Sequence, residues 1–315
     1  QLALQPGNPH AGLLLKSFRT PEAVFQADGK QLQEQGITGS LLKRLCDKSM
    51  EEAVKLLEAC QCRQVWLLTP DDACFPELLR GIFAPPLVLY GRGRLPDEVP
   101  AGMGEPMIGM VGTRTCSRYG LYAASSLAAG LAAGGMTVVS GGACGIDAAC
   151  HRAALDIGGR TIIVQACGLD INYPKENAPL REAVLAHNGT ILSEFPFGAL
   201  PMRHQFAIRN RLISGMSLGV CVVEAGVRSG ALITASHARE QGRDVFAVPG
   251  QIGSVQSAGT NRLIKQGARL VCDACEIMEE YMPRFRGLLD FEAAHQAQDA
   301  QGWPKKRDSM GTTGH

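Results

Sequence analysis

Three short stretches of this 315-residue chain carry residue types that could grip an anion. Gly112-Thr113-Arg114 follows the apolar run MIGMV. Ser140-Gly141-Gly142-Ala143-Cys144-Gly145 follows TVV and leads into IDAACHRAA. Glycines between a strand and a helix leave backbone N–H groups open to a phosphate, and the helix N-terminus adds partial positive charge. The third stretch, PMRHQFAIRNRLISG, sets Arg203, His204, Arg209 and Arg211 around Phe206, with Asn210 between the last two arginines. An arginine fork suits a phosphate, and a ring among cations suits an unpaired base, at about 1–3 kcal/mol per stack. Phe206, Leu212 and Ile213 also fit the buried stripe of one helix, so base stacking and packing both stay open for Phe206. A further loop after GVCVVEA, Gly226-Val227-Arg228-Ser229-Gly230, adds Ser229, Gly230 and, four residues on, Thr234 as candidate contacts.

Groups for catalysis are sparse. Asp147 and His151 stand four apart on one helix face, and Glu194 and Glu224 end strands. A carboxylate beside a bound phosphate could serve as the general base of a nucleotide hydrolase. Asp147 equally suits the first turn of a helix, stabilised by its dipole, with His151 paired to it. The chain has no HExxH, no Walker GK[ST] and no G-x-G-x-x-G fingerprint, so no catalytic residue, cofactor or metal is expected. Cys60/Cys62 and Cys272/Cys275 are the close pairs among eleven cysteines. They lie at the edges of apolar segments without a flanking His, which reads as coincidence rather than zinc, and the thiols are expected to be reduced.

The net charge of +1 decides nothing about partners, but its distribution does. Neither 106–146 nor 195–223 contains an Asp or Glu, and together they hold Arg114, Arg118, Arg203, His204, Arg209 and Arg211. Cations collected in loops while acids lie elsewhere mark an anion-binding face.

These residues need a scaffold, and the pattern supplies one. Residues 1–62 read as a small helical domain, in short segments LLLKSF, PEAVFQA, KQLQEQG, SLLKRLC and MEEAVKLLEAC. Pro6-Gly7-Asn8-Pro9 resembles half of a helix-hairpin-helix DNA contact without its second glycine, which favours packing. Residues 63–285 alternate strand-like runs (VWLL, PLVLYG, MIGMV, TVV, TIIVQAC, TILSEF, GVCVVEA, DVFAV, ARLVC) with helical ones. Continuous apolar strands between helices predict an α/β doubly wound, mostly parallel sheet, with an antiparallel lead-in. Its ligand belongs at the carboxyl ends of the strands, where chain order reverses. The loops after MIGMV, TVV, TILSEF, GVCVVEA and DVFAV should therefore converge. Residues 286–315 read as a polar tail with little order. No apolar run reaches the roughly 18 residues of a membrane span, and the start lacks the signature of a signal peptide, so a cytoplasmic protein is expected.

VGTRxxSxYG, SGGAxGIDAAxHRAAL, GLDxxYPKEN, FxxRNRLISG, VVEAGVRSGALITASHAREQGRDVFAVPG and GTNRLIKQGA occur in this order. The set resembles the DNA-processing protein A (DprA, or Smf) family, over about Trp66 to Tyr281. The resemblance implies an extended Rossmann-like fold preceded by a SAM-like domain. It also implies a non-catalytic homodimer that binds single-stranded DNA in natural transformation and helps load RecA recombinase. On the matching motifs, Gly112, Arg114, Ser140, Gly141, Gly142, Gly145, Arg203, Phe206, Arg209 and Asn210 would line the DNA pocket, with Lys175 of YPKEN as a further phosphate contact. Two departures stand out. Cys144 occupies the place where the family has an arginine before G-I-D, and the tail is too short for the winged-helix domain many members carry. The competing reading is a related hydrolase that cleaves nucleoside monophosphates, but its PGGxGT-x-x-E stretch is replaced here by EAGVRSGALIT.

Overall fold

The computed structural model describes residues 2–96 and 104–302. Among them the apolar runs form nine strands: β1 (Trp66–Leu68), β2 (Leu89–Gly93), β3 (Met107–Val111), β4 (Thr137–Ser140), β5 (Thr161–Gln165), β6 (Thr190–Ser193), β7 (Gly219–Val222), β8 (Asp244–Ala247) and β9 (Arg269–Leu270). They make one mixed sheet in the order β1-β2-β6-β5-β4-β3-β7-β8-β9. β1 and β2 are the antiparallel lead-in, β2 pairing antiparallel with β6, and every pair from β6 to β9 is parallel.

The helices are α1 (His10–Phe18), α2 (Pro21–Gln26), α3 (Gly29–Glu34), α4 (Gly39–Cys46), α5 (Glu51–Cys62), α6 (Glu77–Arg80), α7 (Arg118–Ala133), α8 (Ile146–Asp156), α9 (Ala178–Ala186), α10 (Arg203–Met216), α11 (Ala231–Glu240), α12 (Ala258–Lys265), α13 (Ala274–Met278) and α14 (Phe291–Ala300). Side chains alternate across a strand, so β3 shows how the sheet is covered on both faces. Ile108 and Met110 pack with α7, α8 and α13, while Met107 and Val111 pack with Leu212 and Ile213 of α10 and Ala231 and Ala235 of α11. From β3 the chain steps outward to β4, β5 and β6 on one side, then returns to β7, β8 and β9 on the other, which is the expected double winding.

Two boundaries differ from the sequence reading. The helical region has its own core, with Leu14, Val24, Leu32 and Leu45 of α1–α4 and Ile37 of the loop between α3 and α4. Cys60 of α5 instead packs with Val65, Tyr90 and Ile191, so α5 belongs by contact to the sheet. Cys60 is thus a core thiol, and all eleven cysteines are free. The expected tail is also corrected over 291–300. Asp290 caps α14 by accepting from the Ala293 N–H, and Ala294 is fully buried in the same core as α7. The remainder of that tail, 303–315, lies outside the described residues. No helix among the described residues is long and apolar enough to cross a membrane.

Candidate nucleic-acid interface

Arg114 sits on a loop whose shape is set by what it packs against. After β3 the Thr113 N–H donates to the Glu224 carbonyl, and the Thr113 carbonyl accepts from Ile146 at the start of α8. Gly145, at φ +84, presses on this loop so closely that a Cβ would strike the carbonyls of Thr113 and Arg114. Only glycine takes that backbone without strain. Gly112 has the same role toward Ile146, since a Cβ there would overlap the isoleucine side chain. The GTR loop and the glycine turn are therefore docked on each other, and Arg114 leaves their junction exposed.

The turn does less for a ligand than its sequence promised. Asp147 reaches back from α8 and its Oδ2 accepts from the N–H groups of Gly141 and Ala143 at 3.2 and 3.3 Å. A carboxylate of the chain already occupies the concavity a phosphate would use, so the expected Gly141 amide is a structural donor rather than a ligand contact, as is that of Ala143. Burial raises the Asp147 pKa above the ordinary carboxylate value, while Arg209 and the amides pull it back. His151 does not pair with Asp147; it lies in the core with Nδ1 2.6 Å from the Thr161 hydroxyl. Ser140 is likewise buried, donating to the Met110 carbonyl at 2.5 Å. The Gly142 carbonyl accepts from Asn177 at 3.0 Å, which clamps the turn to the 3-10 turn Lys175–Asn177.

α10 supplies the opposite wall. Leu212, Ile213 and Met216 face the sheet, as the apolar spacing required. Phe206, near the start of the helix, is half-buried and lines the cleft instead. Its ring centroid lies 5.0 Å beneath the Arg114 guanidinium and 5.7 Å from the Tyr173 ring. Arg209 is 4% exposed and donates to the carbonyls of Gly141 and Val164 and to Asn210 Oδ1. Burial pushes its pKa down to about 10, with Asp147 raising it and Arg114 lowering it. It stays charged at neutral pH.

These walls enclose a cleft of about 430 Å³, a size that takes a single nucleotide. Arg114, Gly141, Lys175, Phe206 and Arg209 of the expected residues line it, together with Cys144. Arg114, Lys175 and Arg209 face one carboxylate, Glu176, so the lining is cationic. Gln165, Cys167 and Tyr173 also line it and were missed. Their signal lies in the sequence: they follow TIIV, an apolar strand end like those that carry the expected loops.

The remaining candidates fall elsewhere. Arg211 is corrected outright. It is buried, and Nη2 donates to both Glu194 oxygens at 2.8 and 2.6 Å, so its charge is spent inside the protein. Glu194 Oε1 also accepts from Gly7 at 3.3 Å, which gives the Pro6-Gly7 turn a packing role. Arg203 and His204 are exposed in the first turn of α10, outside the cleft lining. Asn210 bridges to the next loop, donating to the Gly230 carbonyl at 3.4 Å. Ser229 accepts from the Ala231 N–H, and Thr234 is buried.

The crevice between β3 and β7, where strand order reverses, is closed from within. Ser117 donates to Glu224 through both its backbone N–H, at 2.8 Å, and its hydroxyl, at 2.5 Å. Gly120 leaves room for that carboxylate, since a Cβ would overlap it. The cleft is thus shifted to the carboxyl ends of β4 and β5. Asp147, Glu194 and Glu224 are all buried and committed to internal partners, and the described residues hold no cluster of three metal-ligating side chains.

Comparison with known proteins places this arrangement. A Mycobacterium tuberculosis protein carrying the DprA name is 42% identical over 245 residues, which is 74% of this chain and 61% of that protein. The crystal structure of DNA processing protein A from Streptococcus pneumoniae superposes with a TM-score of 0.74 at 33% identity, covering 89% of this chain and 96% of the other. A Helicobacter pylori DNA processing protein A, whose structure was determined for its single-stranded DNA binding mode, matches with a TM-score of 0.60 at 28% identity, over 70% and 96% of the two chains. The profile of the family described as DNA recombination-mediator protein A matches residues 66–282, the whole span of the sheet and cleft, and the chain belongs to that family.

Proposed function

We propose that the cleft holds a single strand of DNA, gripping its backbone with Arg114, Lys175 and Arg209 and one of its bases with Phe206, and that it carries out no reaction on it. The observation that carries this reading is the stacked pair of Arg114 over Phe206 at the mouth of a cationic cleft. A cation and an aromatic ring side by side are what an unpaired base and its phosphate need, and a paired base offers no free face. Membership of the family, and the single-stranded DNA binding named for the Helicobacter pylori relative, support the same substrate. The absence of reaction is supported by the three strand-end and helix-start carboxylates, each tied to an internal donor.

Within this reading the protein is a recombination mediator of natural transformation. It acts in the cytoplasm as a homodimer on an extended Rossmann-like domain with a SAM-like domain ahead of it, and passes incoming strands to RecA. Family membership supports these partners. The test is a gel shift at low salt comparing oligo-dT with a duplex of equal length. The strand should bind at least tenfold more tightly. Equal binding of the two would overturn the assignment of the cleft to unpaired bases.

A further inference from the structure

Among the described residues that line the cleft, Glu176 alone carries a carboxylate. It is exposed, in the middle of the 3-10 turn Lys175–Asn177. That turn is held in place from within, by Asn177 Nδ2 donating to the Gly142 carbonyl at 3.0 Å. The carboxylate makes no ion pair or hydrogen bond with any described residue, although three cations line the same cleft. Arg209 is directed to Gly141, Val164 and Asn210, and Arg114 lies over the Phe206 ring. A free carboxylate in a site for a polyanion repels the phosphates that the cations attract. It is an acceptor only, so its oxygens suit the part of a nucleotide that offers N–H donors, the edge of the base.

Bases differ in what they present at that edge. Guanine sets two donors side by side, N1–H and the N2 amine, which match the two oxygens of a carboxylate. Thymine has a single N–H between two carbonyls. Adenine and cytosine each have an amine beside a ring nitrogen that accepts, so part of their edge meets the carboxylate acceptor against acceptor.

We infer that Glu176 selects guanine for the cleft, its two carboxylate oxygens accepting from N1–H and the N2 amine of that base. This rests on the strand-binding reading above and deepens it. Phosphate contacts and stacking are indifferent to which atoms a base presents at its edge. A carboxylate on a clamped turn is not, because hydrogen bonds to a charged acceptor are stronger than neutral ones. In a duplex the same edge of guanine is taken by cytosine, so the contact also favours an unpaired strand.

The test is fluorescence anisotropy with oligo-dT strands of one length in which every third base is replaced by guanine, hypoxanthine or adenine. EDTA is present, so that no divalent cation bridges the carboxylate to a phosphate. All three replacements are purines and stack alike, and hypoxanthine keeps N1–H but lacks the N2 amine. The wild-type protein should bind the guanine strand about tenfold more tightly than the adenine strand, with the hypoxanthine strand between them. In Glu176→Gln, a change to an exposed side chain without a partner, the three strands should agree within about twofold. Equal binding of guanine and adenine strands by the wild-type protein overturns the inference whatever the variant does. So does a guanine preference that survives Glu176→Gln, or a hypoxanthine strand that binds as tightly as guanine. A protein that binds none of the strands loses the strand reading itself, which separates the two failures. Free dGMP should not displace the guanine strand at the nucleotide concentration at which that strand saturates. Displacement there would make the cleft a mononucleotide site and overturn the strand reading as well.

Discussion

Arg114 and Phe206 hold different parts of a nucleotide, and their removal should read differently. Arg114 is exposed and bonds to nothing that the fold needs, so Arg114→Ala should weaken oligo-dT binding about five- to tenfold and leave the melting temperature within about 1 °C. Phe206→Ala removes a stack worth about 1–3 kcal/mol, a loss that persists at high salt where a charge contact fades. Arg209 lines the same cleft yet belongs to the fold as well. Arg209→Ala leaves the buried Gly141 and Val164 carbonyls without their donor, and should cost about 2–4 kcal/mol in urea unfolding besides weakening DNA binding. Cys144 lines the cleft where the family resemblance placed an arginine, so Cys144→Arg should tighten binding and steepen its salt dependence. Residue types were legible from sequence, but their partners were not. Arg209 and Arg211 look alike in RNR, and only the position of Glu194 two strands away separates a cleft cation from a buried counter-ion.

At the scale of elements, β3 to β7 were visible because a strand buried on both faces must be apolar throughout. The elements missed were α6 and α13, which are short, and α14, whose polar composition hides the single face that carries Ala294. The glycine turn shows the same limit. Its sequence specifies an anion nest, but cannot say that the anion is Asp147 of the following helix. α8 also makes a prediction of its own. Burial pushes the His151 pKa from 6.5 down to about 3, with Arg209 and Arg152 acting in the same direction. The unfolded chain therefore takes up a proton on this ring as pH falls below about 6.5, while the folded protein does not until near 3. The stability it lends is complete above 6.5 and is lost progressively toward 3, amounting to about 2–3 kcal/mol between pH 6.5 and 4.5. Urea titrations at several pH values should show that loss in the wild type, and His151→Gln should lack this part of the slope.

Across the whole molecule, the cleft depends on a buried connection between its two parts. Glu194 ends β6 and receives Arg211 from α10 and the Gly7 N–H from the helical region, so one carboxylate ties the amino-terminal helices to the wall that carries Phe206. Arg211→Ala strands that carboxylate in the interior and should cost about 3–5 kcal/mol of stability. The double winding, the antiparallel lead-in and the helical amino-terminal region were all legible in sequence. The site's place was not, because the switch point that topology favours is filled by Ser117 and Glu224, leaving the next strand ends as the open edge. The central claim is that this open edge grips a strand through its phosphates, and a salt series tests it most directly. Oligo-dT affinity should fall linearly on a log–log plot against salt, and Arg114→Ala should lower that slope by about 0.7, the share of one single-strand phosphate. An affinity that ignores salt, or a slope unchanged in the variant, would contradict the account.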